Sequence, residues 1–225
     1  MKITYYGHSC FGVETGGKHL LFDPFVSHNE LANIDINTIP ADYILLSHGH
    51  QDHTADAIAI AQNTGAKIVS SYEITTWANN NGIENVHPMN TGGRWQFEFG
   101  EVRCFQAEHS SSFADGSYAG PAMGFIIKTD GKSFYYSGDT ALFTDMKLIK
   151  EYYPVDFAIM CIGDNFTMGV SDAIIACDFV GVTDVIGMHY DTFGYIKIEH
   201  EAAVKQFADK GIELKLMEIG SSIDK

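Results

Sequence analysis

Short apolar stretches, each closed by a glycine, aspartate or asparagine, divide the chain into many small elements. Residues 2–6, 10–14 and 18–22 are rich in β-formers and separated by Gly-containing breaks, so they predict an opening antiparallel meander. Residues 43–46 form an apolar run ending at Ser47, which reads as a buried strand. The Ala/Ile-rich stretch 54–62 predicts a helix closing near Gly65. A strand at 67–69 and a helix at 72–79 follow, the helix stopped by Asn79-Asn80-Asn81-Gly82. Residues 95–99 and 102–107 form a hairpin turned by Gly100, and 123–128 and 133–136 a second one across Asp130-Gly131. Beyond these the pattern predicts a helix at 143–151, a strand at 155–161, a helix at 172–180, a strand at 184–187, a helix at 199–210 and a last strand at 213–217. Residues 221–225 are expected to form a loose tail.

Strands dominate the start of each half, and helices alternate with strands later. That order predicts a mixed α/β (α+β) fold with layered sheets. Only five prolines occur, with no Pro/Gly/Ser linker, so residues 1–225 are expected to form one domain.

Charge narrows the function. Lys plus Arg is 14 and Asp plus Glu 29, a net charge of 14 − 29 = −15. Nucleic acids and anionic membranes both select basic surfaces, so neither is an expected partner. No apolar run approaches the ~18 residues of a membrane span. Met1-Lys2-Ile3-Thr4-Tyr5-Tyr6 lacks the apolar stretch of a secretory signal, so a cytoplasmic location is expected. The four cysteines form no C-x-x-C pair and read as reduced, buried thiols.

The informative stretch is Ser47-His48-Gly49-His50-Gln51-Asp52-His53-Thr54. It follows a predicted strand and precedes a predicted helix, the strand-end position where α/β folds place ligand sites. Gly49 is expected to let the backbone bend so that His48 and His50 converge. Imidazoles and carboxylates in this density are ligands for zinc and similar ions. With this composition the pattern H-x-H-x-D-H arises by accident about once in a thousand such chains.

H-x-H-x-D-H is the signature of the metallo-β-lactamase superfamily, and the chain resembles that superfamily over nearly its whole length. Further elements appear in order: His109 in Gln106-Ala107-Glu108-His109-Ser110-Ser111, Asp139 in Ser137-Gly138-Asp139-Thr140, and His189 in Gly187-Met188-His189-Tyr190. Tyr6-Gly7-His8-Ser9-Cys10-Phe11 and Gly163-Asp164-Asn165-Phe166-Thr167-Met168-Gly169 are similar to marks of the small bacterial and archaeal metal-dependent hydrolases, near the ascorbate-phosphate lactonase-like branch. The resemblance implies a four-layer αβ/βα sandwich with the site between two facing sheets. It implies that His48, His50 and His109 hold one divalent ion, that Asp52, His53 and His189 hold a second, and that Asp139 bridges them. Zinc is the first expectation, with manganese, iron or nickel as alternatives. Asp52 would also orient the attacking oxygen. Lactam-hydrolysing members with a cysteine ligand place it where this chain has Asp139. An aspartate there resembles phosphodiesterases, lactonases and thioesterases instead.

The implied activity is hydrolysis of a small-molecule ester, lactone or phosphoester by a hydroxide that two metals activate. Two alternatives stand beside it: a phosphodiesterase of the same fold, and a metal-dependent sensing or binding protein without turnover. A redox di-iron role is disfavoured, because such relatives carry a glutamate where this chain has His50. Members of the fold often self-associate, so a homo-oligomer is a further expectation. His8 is expected beside the metals. Asp164 and Asn165, at a strand end, are expected on the site wall. Asp23-Pro24 reads as a strand-ending turn, although similar family members place a supporting aspartate there. Ser110, Ser111 and Ser112 read as loop hydroxyls or as donors to metal ligands. Asp115 reads as an ordinary turn, Cys161 as a buried strand cysteine, and Trp77 and Trp95 as core or interface aromatics. His19, His28, His87 and His200 show no partner pattern and are expected at the surface or in loops.

Overall fold

The computed structural model describes all 225 residues. Strands β1 (Lys2–Gly7), β2 (Cys10–Thr15) and β3 (Lys18–Phe22) form the predicted antiparallel meander. β4 (Tyr43–Leu45), β5 (Lys67–Ser71) and β6 (Val86–Met89) then add in parallel. The crossovers carry helices α1 (Gln51–Thr54), α2 (Ala57–Thr64) and α3 (Tyr72–Asn80). The second half repeats the plan. β7 (Arg94–Phe97), β8 (Gly100–Gln106), β9 (Met123–Thr129) and β10 (Lys132–Tyr136) are antiparallel. β11 (Phe157–Cys161), β12 (Asp184–Met188) and β13 (Glu213–Lys215) follow in parallel, connected through α5 (Val170–Val180) and α6 (His200–Ala208). Helix α4 (Lys147–Tyr152) lies between β10 and β11, and β14 (Ser222–Asp224) returns to pair with β1. The sheets are β14-β1-β2-β3-β4-β5-β6 and β13-β12-β11-β10-β9-β8-β7.

Strand periodicity explains the layering. In β3 and β4, Leu20, Phe22, Tyr43 and Leu45 point to one face and Leu21 and Ile44 to the other. The first set packs against the second sheet, with the Phe22 ring 4.7 Å from Tyr136 and 5.9 Å from Phe134. The second set packs under α2 and α3, against Ala57, Ile60, Ala61, Ile74 and Ala78. Helices α5 and α6 bury Ala173, Ala176 and Phe207 on the other side. The result is the expected four-layer sandwich. Each fully buried Phe or Leu contributes about 1.5–3 kcal/mol.

Three expectations are corrected and one is narrowed. The tail is a strand: Ile223 pairs with Ile3, and Lys225 forms an ion pair with Asp184. The single helix at 54–62 is two, because Asp56 leaves the helical run and its buried carboxylate accepts from the Val26 and Ser27 amides at 2.6 and 2.9 Å. Strand β6 was not anticipated; it is a four-residue edge strand containing Pro88, which only an edge tolerates. Of the core and interface readings of Trp95 only the second is left, since the ring is 53% exposed on an edge strand. Trp77, as expected, stacks on Phe113. No helix is long and apolar enough to cross a membrane.

Candidate metal centre

The residues singled out in the sequence lie on loops that leave the carboxyl ends of strands. His48 and His50 follow β4, His109 follows β8, Asp139 follows β10 and His189 follows β12. Asp52 and His53 form the short helix α1. Gly49 matters for a reason other than flexibility of φ: a Cβ there would lie 2.2 Å from the Ala119 Cβ. The His48–His50 loop is pressed against the loop that follows His109, and only glycine fits between them.

Three groups of donor atoms cluster: Asp23 with His48 and His53, and the two sets that the resemblance implies. His48, His50 and His109 form one set, and Asp52, His53 and His189 another, which His8 joins. Asp139 lies between them. Its Oδ2 is 3.9 Å from His48 Nε2 and 3.6 Å from His109 Nε2, on the first side. It is 3.3 Å from His53 Nε2 and 3.0 Å from His189 Nε2, on the second. Buried polar atoms normally find partners. Here His53 Nε2, His189 Nδ1 and Asp139 Oδ1 have none. Burial keeps His48, His50 and His109 below the usual imidazole range, so they are neutral with lone pairs available. Burial also opposes charge on His53, but Asp139, Asp52 and Asp23 together outweigh it and hold that ring's pKa up. Burial favours the neutral acid at Asp139 and Asp52, yet neighbouring imidazoles keep both carboxylates ionised. Mixed neutral imidazole and carboxylate donors with orphaned buried atoms fit divalent metal ions.

A further set of side chains aims these donors. Asp23 is fully buried, and sequence reasoning favoured a plain turn for it. Instead its Oδ2 accepts from His53 Nδ1 at 2.9 Å, Ser47 Oγ at 2.6 Å and Tyr136 OH at 2.8 Å, while Oδ1 accepts from the Ser47 amide at 2.7 Å. The Ser47 proton goes to Asp23, so His48 Nδ1–H donates to Ser47 Oγ at 2.9 Å. Both imidazoles thereby turn Nε2 toward Asp139. The available signal was positional: Asp23 ends β3 as Asp139 follows β10.

His8 lies beside the centre as expected. Its Nε2–H donates to Asp52 Oδ2 at 3.1 Å, and its Nδ1 accepts from the Thr192 hydroxyl at 2.9 Å. Burial lowers its pKa to about 4, so the ring is neutral and the tautomer is set by these partners. Thr192 gave no signal in the sequence. Ser110 approaches His50 Nε2 at 3.4 Å, and Ser111 Oγ accepts from the Gly49 amide at 3.1 Å. Seven non-glycine residues have positive φ, and six of them (His8, Asp23, Asp164, Asn165, His189 and Asp191) sit in these loops. Such backbone strain concentrates at functional sites.

An open cavity of about 1040 Å³ covers the centre. Asn165 is on its wall, as expected, but Asp164 is not. Asp164 accepts the Asn165 amide at 2.8 Å and packs against Gly169, closing its own turn. Asp115 likewise caps Ser117 in an exposed turn, and Cys161 is buried in β11. His200 is not partnerless: its Nε2 lies 2.6 Å from Asp191. His19 contacts Asp42 at 3.4 Å.

Known proteins resemble this chain in sequence and in fold. Residues 18–190 match the beta-lactamase superfamily domain. A metal-dependent hydrolase of Christiangramia forsetii is 54% identical over 226 residues, covering 100% of both chains. One from Bacillus subtilis is 42% identical over 231 residues, again covering 100% of both. A solved metallo hydrolase from the archaeon Ignicoccus hospitalis superposes with a TM-score of 0.90 at 31% identity, covering 99% of this chain and 97% of that one. The isothiocyanate hydrolase from Delia radicum gut bacteria shares the fold, with a TM-score of 0.82 at 17% identity over 100% of this chain and 99% of that one.

Proposed function

The chain belongs to the beta-lactamase superfamily and is a metal-dependent hydrolase, and on that premise we propose that it uses two divalent ions to hydrolyse a small-molecule ester, lactone or phosphoester in the cytoplasm. His48, His50 and His109 would hold one ion, Asp52, His53 and His189 the other, and Asp139 would be shared. The position of Asp139 carries this reading. Its Oδ2 lies 3.0–3.9 Å from four imidazole nitrogens, two from each donor set. Zinc suits the His-rich first set, with manganese, iron or nickel as alternatives.

Bound ions of this kind lower the pKa of water toward about 7 and polarise the scissile bond. The side chains do the rest. Asp23 fixes the tautomers of His53 and, through Ser47, of His48. His8 holds Asp52 in one orientation at the cavity floor. His53 and His8 keep Asp52 ionised, so it would orient the attacking water as an acceptor. The cavity admits substrate from the side on which Asp52 and His50 face solvent.

Elemental analysis of zinc- or manganese-reconstituted, desalted protein tests the metal centre. Two metals per chain, with hydrolysis of 4-nitrophenyl acetate, a γ-lactone or bis(4-nitrophenyl) phosphate, is the expected result. Turnover of the phosphodiester alone would make the enzyme a phosphodiesterase. Two metals without turnover of any of them would favour a sensing protein. One metal or none would overturn the dinuclear assignment.

A further inference from the structure

The walls of the cavity, rather than its floor, define what the site admits. None of the 14 Lys and Arg residues is among the sixteen residues that line it. The one charged side chain on the wall away from the metal donors is Glu30, beside His28. Beside uncharged polar residues such as Gln51, Asn165 and Thr192, the wall carries four aromatic side chains. Phe25 and Phe193 lie 6.2 Å apart beside His8, and Phe166 and Tyr195 form an edge-on pair at 6.1 Å. Phe166 is 49% exposed and Tyr195 78% exposed. They form a rim on the loops that follow β11 and β12, and packing of the core does not account for their exposure.

Recognition of a phosphate or carboxylate at a distance from the reacting bond needs a cationic side chain or a row of amides to replace its hydration. At the floor, two divalent ions against Asp52 and Asp139 would leave a charge of 4 − 2 = +2, enough for the reacting oxygen. At the wall a remote anion would meet Glu30, four aromatic rings and polar side chains such as Gln51 and Asn165, with no Lys or Arg to replace its hydration, in a protein of net charge −15. Flat rings and a carboxylate instead suit an uncharged group of aromatic or similar apolar size.

Taking the metal-centre reading as its basis, we propose that the substrate is an electroneutral ester or lactone with an aryl-sized apolar group seated between Phe25/Phe193 and Phe166/Tyr195, and that substrates bearing a remote phosphate are rejected. This separates the enzyme from the phosphorylated-lactone chemistry that the sequence resemblance implies.

Hydroxamic acids bind such centres without turnover and so test the wall independently of the reaction. Calorimetry on zinc-loaded protein would compare acetohydroxamic, benzohydroxamic and 4-phosphonobenzohydroxamic acids. Benzohydroxamic acid is expected to bind at least about tenfold tighter than either of the others. Phe166→Ala with Tyr195→Ala, both at exposed loop positions, should erase the preference for the aryl over the methyl compound. Glu30→Lys should narrow the gap to the phosphonate. Equal affinities, a preference for the phosphonate, or no binding of any hydroxamate to protein that holds metal would overturn the inference. Failure to hold metal would instead overturn the metal-centre reading. Hydroxamates bound as expected, with no ester or lactone turned over, would remove the proposed reaction and leave the cavity's preference standing.

Discussion

Asp23 offers the sharpest test of how the centre is built, because one carboxylate aims a donor in each metal set. The conservative perturbation is Asp23→Asn. Asn tolerates the left-handed backbone at this position (φ 41°), so the variant should fold. In its best orientation the amide oxygen replaces Oδ2 and keeps the bonds from His53, Ser47 Oγ and Tyr136. The amide nitrogen then faces the Ser47 backbone N–H, a donor against a donor. One lost bond at a fully buried site costs about 1–3 kcal/mol. For a chain of this size that is a fall in Tm of about 2–12 °C. The larger effect is on the metals. Without the carboxylate charge behind them, His53 directly and His48 through Ser47 become weaker and less firmly held ligands. Loss of such a partner typically weakens binding 10–100-fold, or about 1.4–2.8 kcal/mol for each ion.

The assay is a two-step zinc titration against a chromophoric chelator, run on the native protein, Asp23→Asn and Ser47→Ala. Asp23→Asn should weaken both steps. Ser47→Ala cuts the link to His48 and leaves the His53–Asp23 bond in place, so it should weaken one step only. A lower Tm with both zinc steps unchanged would mean that Asp23 only supports packing, and the argument about tautomers would fall.

Four further outcomes follow from the geometry. Asp139→Ala should cost one metal per chain and at least about a hundredfold in turnover, because its Oδ2 serves both donor sets; elemental analysis and initial rates read both. Gly49→Ala forces a Cβ to within 2.2 Å of Ala119 and should destabilise the fold by about 1–3 kcal/mol while loosening metal binding, read by denaturant unfolding and the zinc titration. Deleting residues 221–225 removes β14 and the Lys225–Asp184 pair, so Tm should fall by several degrees with metal content unchanged. Adding zinc at about 100 times its Kd to chelator-stripped protein should raise stability by about 2.7 kcal/mol per site; a Tm that ignores zinc would show that the folded state does not bind it preferentially.

What the sequence disclosed depended on how local each feature is. His48, His50, Asp52 and His53 lie within six residues, so the motif was legible from spacing, and the convergence of His48 and His50 could be read from Gly49; the roles of Asp52 and His53 came from the resemblance. His109, Asp139 and His189 have no such spacing, and resemblance to a family located them, each just past a predicted strand. The meander, both hairpins and the parallel strands other than β6 were legible because apolar periodicity is itself local. Three of the misreadings involve distant partners. Helix 54–62 breaks where Asp56 reaches back to residues 26 and 27, and the tail becomes a strand only because β1 offers an edge. Asp23 looked like a turn because its partners Ser47, His53 and Tyr136 lie 24, 30 and 113 positions away. The cavity wall was the least legible part, since Phe25, Glu30, Phe166 and Tyr195 come from three separate loops with no shared period.

The same distance argument explains why the centre sits where it does. The first half of the chain supplies His8, Asp23, His48, His50, Asp52 and His53. The second supplies His109, Asp139 and His189. The two donor groups each span both halves, the first through His109 and the second through His189, and Asp139 reaches both from the later half. The two sheets bring these loops together by burying Phe22, Phe125, Phe134 and Tyr136 between them, so apolar packing assembles the polar site at one edge of the sandwich. Tyr136 joins the two roles in one side chain. Its ring packs on Phe22 in the core while its hydroxyl donates to Asp23, which holds His53 and, through Ser47, His48. A shift of one sheet against the other would therefore move Asp139 relative to the imidazoles of the first half. The precision that a shared carboxylate demands comes from the close-packed core beneath it.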